Sequence, residues 1–257
     1  MMRNLMRQLR GALVRRAERL TGTHIIPRGS LWAMPEREHL RAFFAHFGVD
    51  CVFDVGANEG QFADMLRRKV GYRGPILSFE PIPDVAERLK ARAAADPLWF
   101  VEQVALADEI GERTFNIMAD TQFSSLAKPS HEEVKLFEGT NQILRSIGVK
   151  LSTVEFMLEK YRKELKFTRP YLKMDTQGHD LSVVRGAGDS LRGFVGLQSE
   201  LAIRKLYDTS VDFRDAITAY ERAGFALSAF VPNNEGHFPA LIEMDCIMYN
   251  TRYVPLA

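Results

Sequence analysis

The chain has 257 residues, 46% hydrophobic and 26% charged, ordinary globular proportions that allow one substantial core with appendages. Its formal net charge of +1 lends no support to a nucleic-acid partner. No apolar run reaches membrane-spanning length, arginines break up the opening residues, and Cys51 and Cys246 sit in apolar runs suited to reduced thiols, so a cytoplasmic protein is expected.

Residues 1–30 form a basic leader in which Arg3, Arg7, Arg10, Arg15, Arg16, Arg19 and Arg28 stand against the single acid Glu18. Met2, Leu5, Met6, Leu9, Leu13 and Leu20 recur at helical spacing and predict an amphipathic helix. Such a helix would lie on an anionic inner-membrane surface or a partner enzyme, or dock on its own domain or a second protomer as a homo-oligomer contact. The remainder, 31–257, reads as one domain. A helix is predicted over 35–47, with Leu40, Phe43, Phe44 and Phe47 on one side and Glu36, Arg37, Glu38 and Arg41 on the other.

Cys51-Val52-Phe53-Asp54-Val55 then reads as a strand buried on both faces, followed by a helix over 61–69. Further strands are predicted over 75–80 and 99–106, with a helix over 83–95 between them. Residues 107–170 break the rhythm, with a hairpin around 113–118, a polar loop over 120–125 and a helix over 153–161. Alternation resumes with strand 171–175, helix 180–191, strand 195–200, helix 211–223 and strands 225–231 and 243–250. Strands alternating with helices predict an α/β fold with a largely parallel sheet, and the last two strands, with no helix between them, an antiparallel pair.

The loop after the first strand carries the ligand signal. Gly56 and Gly60 permit a sharp turn and close ligand approach, with helix amides following. The Gly-x-x-x-Gly spacing lacks both the dinucleotide Gly-x-Gly-x-x-Gly and the P-loop Gly-Lys-Ser/Thr, which disfavours a nicotinamide-dependent dehydrogenase. Asp54 would repel a pyrophosphate but suits a ligand bearing an ammonium group, such as the amino-acid end of S-adenosylmethionine. Glu80, closing the second strand, can accept both ribose hydroxyls.

The segments 52–62, 78–81 (Ser-Phe-Glu-Pro) and 173–180 (Lys-Met-Asp-Thr-Gln-Gly-His-Asp) together resemble the hallmark segments of FkbM-type methyltransferases. The resemblance runs from about Leu31 to the end. It implies a class I methyltransferase (Rossmann-like) fold, with a seven-stranded, mostly parallel sheet whose last strand is antiparallel. It also implies transfer of a methyl group from S-adenosyl-L-methionine, commonly to a hydroxyl of a sugar, glycolipid or polyketide. By position, Asp54, Gly56, Ala57, Asn58, Gly60 and Gln61 would hold the methionine half, Glu80 and Pro81 the ribose side, and Val104 and Ala105 would border the adenine. Ser124 and Ser125 match a serine pair of the family that could bond cofactor or acceptor; a polar turn is the plainer reading. The family often has glutamate where Asp180 stands.

Asp175 and Glu200 end adjacent strands at the sheet edge where open α/β folds bind ligands. They could hold a hydroxyl, share a divalent cation, or take the proton of the attacking oxygen; Asp175 could instead cap the next helix. Lys173 shares a strand face with Asp175 and could pair with it. His179 is the alternative general base, against a plain surface histidine. His24, His39, His46, His131 and His237 show no metal-ligand spacing, and Asp245 inside the last strand calls for a partner. A non-catalytic module that keeps the fold as a membrane-recruited partner of a glycan-assembly enzyme is the alternative from a different class.

Overall fold

The computed structural model describes residues 20, 26, 28–233 and 239–253. The leader helix expected within 1–30 otherwise lies outside them; Arg28–Ser30 form a single 3-10 turn.

Seven strands make one sheet: β1 (Cys51–Val55), β2 (Ile76–Phe79), β3 (Trp99–Glu102), β7 (Pro170–Met174), β8 (Gly196–Ala202), β9 (Phe225–Val231) and β10 (Glu243–Asn250), in the order β3-β2-β1-β7-β8-β10-β9. β10 runs antiparallel to both neighbours and the other pairings are parallel. This is the seven-stranded, mostly parallel sheet that the resemblance implied, with β10 inserted antiparallel between β8 and the edge strand β9.

Among the described residues three α-helices cover each face. α1 (Met34–Phe47), α2 (Gln61–Met65) and α3 (Pro83–Ala93) pack against Val52, Ile76, Tyr171 and Ile247. α4 (Val154–Leu165), α5 (Asp180–Arg185) and α6 (Phe213–Arg222) lie against Phe53, Leu77, Leu172 and Leu197. Successive β1 residues therefore point into opposite cores, which is why that strand reads as an unbroken apolar run. α1 carries Pro35 in its first turn, where proline is favoured, and stops at Gly48, whose φ of 63° supplies the left-handed cap.

Several predicted elements divide. The helix expected over 61–69 becomes α2 plus a π turn, Leu66–Val70, closed by Gly71. The one expected over 180–191 breaks after α5 into a 3-10 segment, Gly188–Gly193. A Cβ on Gly186 would lie 1.9 Å from the Ala107 carbonyl, so the chain passes Ala107 too closely for any other residue. The strand expected over 99–106 is two strands: β3 ends at Glu102, held by the Tyr161 hydroxyl and Lys160, and β4 (Ala105–Leu106) joins a second sheet.

That sheet has the order β4-β6-β5, from β5 (Gly111–Met118) and β6 (Ile143–Ser152). β5 is thus not half of a local hairpin; its partner is the distant β6, in antiparallel register. Ile147, Val149 and Leu151 alternate along β6 against Phe115 and Ile117, a period-two signal that sequence reading passed over.

Candidate functional site

A cleft of about 610 Å³ opens at the carboxyl ends of β1, β2, β7 and β8, where ligands of open α/β sheets bind. Its size suits a nucleoside-sized ligand with an acceptor beside it.

The loop after β1 forms one wall. Gly56 has φ 76° and Asn58 φ 45°, both left-handed. A Cβ on Gly56 would sit 1.9 Å from the Asp175 carbonyl, so only glycine lets β1 and β7 release their loops side by side. The Gly56 and Ala57 amides donate to the Phe79 carbonyl at 3.1 Å each, and the Asn58 amide donates to Glu80 Oε2 at 2.8 Å. These amides are therefore not offered to a phosphate, which agrees with the glycine spacing. Asn58 Oδ1 is buried without a hydrogen-bond partner and its residue lines the cleft, so an acceptor stands ready for a ligand's N–H.

Glu80 faces the cleft from the end of β2, its second oxygen accepting from the Ile82 amide at 2.8 Å. Burial outweighs both amides and pushes its carboxyl up to about 7. Gln61, Ala57, Pro81, Ala105 and Ser124 also line the cleft; Ser124 Oγ accepts from the Met118 amide.

Four residues expected at the cofactor lie behind the wall. Asp54 is fully buried and does not reach the cleft; it accepts from Ser78 Oγ at 3.1 Å and pairs with Lys173 Nζ at 3.5 Å. Burial raises its pKa, opposed by Lys173. Its charge therefore anchors Lys173 and does not meet a ligand directly. Gly60 is needed because a Cβ there would strike Leu89 and Trp99 at 2.7 Å, a packing reason. Val104 is buried and only its neighbour Ala105 shows in the cleft. Ser125 is buried and donates to the Gln177 carbonyl at 2.7 Å, tying the 120–125 loop to the one after β7.

The residues expected to act on substrate do converge. Lys173 Nζ lies 3.3 Å from Asp175 Oδ2 and 5.4 Å above the Phe62 ring. Burial would lower its pKa, but Asp175 and Asp54 outweigh that and raise it, so it stays charged. Gln177, which sequence reading did not single out, bridges the two carboxylates: its Nε2 donates to Asp175 Oδ1 at 2.9 Å and Glu200 Oε2 at 2.8 Å, while its Oε1 accepts from Tyr207 at 2.7 Å. The amide thus fills the position a shared cation would take, and among the described residues no group of three or more His, Cys, Asp or Glu could hold a metal ion. Asp175 does not cap α5. Asp180 closes that turn instead, accepting from the Thr176 amide and hydroxyl and from Ser199. His179 lines the cleft and touches Thr209 at 3.4 Å; burial lowers its pKa, leaving the ring neutral near pH 7.

More carboxylates gather at this end. Because β10 is antiparallel, its first residues reach the ligand edge, with Asp245 opposite Glu200 in the ladder. Glu243 and Glu36 line the cleft as well. Gln198 donates to Asp245 and Glu36 at 2.8 Å, the partner Asp245 required. Burial and mutual repulsion raise Glu200 and Asp245 well above the ordinary range and bring Glu243 to about 7. The antiparallel last strand was legible in the sequence, and it implies this placement of 243–245.

The sequence matches the family model of the methyltransferase FkbM domain over residues 54–227. The chain belongs to the FkbM methyltransferase family. No curated protein matches it. Among solved structures this FkbM chain is similar to Aeropyrum pernix fibrillarin with bound S-adenosyl-L-methionine, at 15% identity and TM-score 0.43 over 77% of this chain and 66% of that one, just under two thirds. It is also similar to magnesium protoporphyrin IX methyltransferase from Synechocystis PCC 6803 with bound SAM, at 9% identity and TM-score 0.46 over 91% and 89%. A Bacillus cereus O-methyltransferase in complex with SAH aligns at 9% and 0.46 over 93% and 89%.

The residues present fit S-adenosylmethionine. The Gly56 turn seats the loop after β1 directly against β7, Asn58 Oδ1 offers an acceptor to an ammonium, Glu80 offers its carboxylate to a ribose, and Ile82, Ala105 and Leu106 give an apolar surface for a base.

Proposed function

We propose that this FkbM protein is an S-adenosylmethionine-dependent O-methyltransferase whose acceptor is a hydroxyl of a sugar, glycolipid or other glycosylated or polyketide product. The donor supplies a methyl group already activated by its sulfonium. The protein's part is to orient the acceptor, exclude water and take one proton. The observation that carries the reading is the Asp175–Gln177–Glu200 bridge, walled by Glu36, Glu243, Asp245 and Gln198. Carboxylate and amide oxygens of this density are acceptors for the several hydroxyls of a carbohydrate.

Asp175 is the better placed base of the pair, its side chain 38% exposed while Glu200 is held on both oxygens by Gln177 and Asn233. Lys173 fixes the Asp175 carboxylate, and neutral His179 is the second group able to accept a proton. The basic leader is proposed to keep the enzyme at an anionic cytoplasmic membrane face, where a glycolipid acceptor would lie.

The test is transfer of labelled methyl to a panel of free glycosides and glycolipids. Label should appear on an ether oxygen, and Asp175→Asn should reduce kcat by about 10²- to 10⁴-fold with little change in S-adenosylhomocysteine affinity. Transfer confined to amines or carboxylates would sink the proposal.

A further inference from the structure

The geometry points to Arg37, on helix α1, as the residue that binds the carboxylate of the cofactor's methionine moiety. Two cations line the cleft among the described residues, Lys173 and Arg37. Lys173 is held between Asp54 at 3.5 Å and Asp175 at 3.3 Å. Among the described residues Arg37 has no such partner: its Nε is buried without a hydrogen bond, and the adjacent Glu36 carboxylate turns to Gln198 instead. A guanidinium whose Nε is taken out of water and left unpaired calls for a ligand acceptor.

The side of α1 on which Arg37 stands identifies that acceptor. One turn along, Arg41 donates to the Lys69 carbonyl, so this helix side faces the π turn that continues α2. His39, on another side, bonds Ser228 of β9 at 2.8 Å. Arg37 therefore overlooks the stretch where Gln61, Phe62 and Met65 of α2 line the cleft, next to Asn58. An unpaired donor in Arg37 and an unpaired acceptor in Asn58 Oδ1 thus belong to residues that line the same cleft. A zwitterionic amino acid satisfies both, its carboxylate on the arginine fork and its ammonium on the amide oxygen. α1 precedes the segment 54–227 that carries the family match, so this contact comes from a part of the chain outside it.

The inference rests on the donor half of the proposed function and not on the acceptor. Calorimetric titration of the full-length protein with S-adenosylhomocysteine and with its decarboxylated counterpart, S-adenosylthiopropylamine, tests it without turnover. Wild-type binding of S-adenosylhomocysteine checks the donor reading by itself. Arg37→Gln should weaken S-adenosylhomocysteine by about 10- to 100-fold and leave the decarboxylated ligand within about twofold, with Arg37→Lys losing less. Equal weakening of both ligands, or no weakening of either, would overturn it. Should Arg37→Gln melt early, the comparison rests on Arg37→Lys and on the wild type, which must itself prefer the carboxylate-bearing ligand by about tenfold or more.

Discussion

Glu80 offers a measurement that joins stability to ligand binding. The folded chain raises its carboxyl from the usual 4.5 to about 7, chiefly through burial and against two amide hydrogen bonds. Between those values the native state holds a proton that the unfolded chain has released, so stability falls as pH rises through about 4.5 to 7 and is flat above. At 1.36 kcal/mol per pH unit, a separation of about 2.5 units amounts to about 3 kcal/mol. Glu80→Gln cannot titrate, so the stability of the variant minus that of the wild type should climb by about 3 kcal/mol from pH 4.5 to 8. The other buried carboxylates titrate in both proteins and largely cancel. Urea denaturation at half-unit pH steps reads this difference, and a flat one, within about 0.5 kcal/mol, refutes the assignment. The ionised carboxylate is the form that accepts ribose hydroxyls. Wild-type affinity for S-adenosylhomocysteine should therefore rise with pH up to about 7 and level off, a dependence that Glu80→Gln abolishes.

Two further outcomes follow from the packing around the cleft. Gly56→Ala puts a methyl 1.9 Å from the Asp175 carbonyl at a φ of 76°, and should cost roughly 2–4 kcal/mol and most of the cofactor affinity; a melting temperature within a degree of wild type would contradict this. Lys173→Met leaves Asp54 buried and unpaired and should cost about 3–5 kcal/mol, with the Asp54→Asn, Lys173→Met double variant recovering part of the loss in a double-mutant cycle by chemical denaturation.

The alternation of strands and helices, the antiparallel last strand and the glycine turn after β1 were all present in residue order, because each depends on local periodicity or on a backbone angle that one residue type supplies. Asp54 shows where that ends. Its place in a strand was legible, but whether its carboxylate met a ligand or a lysine depended on β7 lying alongside β1, with Asp54 opposite Lys173. β6 escaped because its partner β5 precedes it by a long connection, and six of its ten residues are exposed.

Arg37 and Glu36 make the same point on α1. The expectation set them opposite Leu40, Phe43, Phe44 and Phe47 and so toward solvent, yet at about 100° per residue Glu36 stands one turn before Leu40 and Arg37 two turns before Phe44, on the side of the helix that faces the sheet. Where α1 reaches the ligand edge of the sheet, the cleft adjoins its first turn, and Glu36 and Arg37 line it. Sequence thus determined the fold, the family and the turn at the ligand, all local matters. Which charges face the ligand was decided only by tertiary packing, since a side chain's periodicity records the side it is on and not what stands across from it.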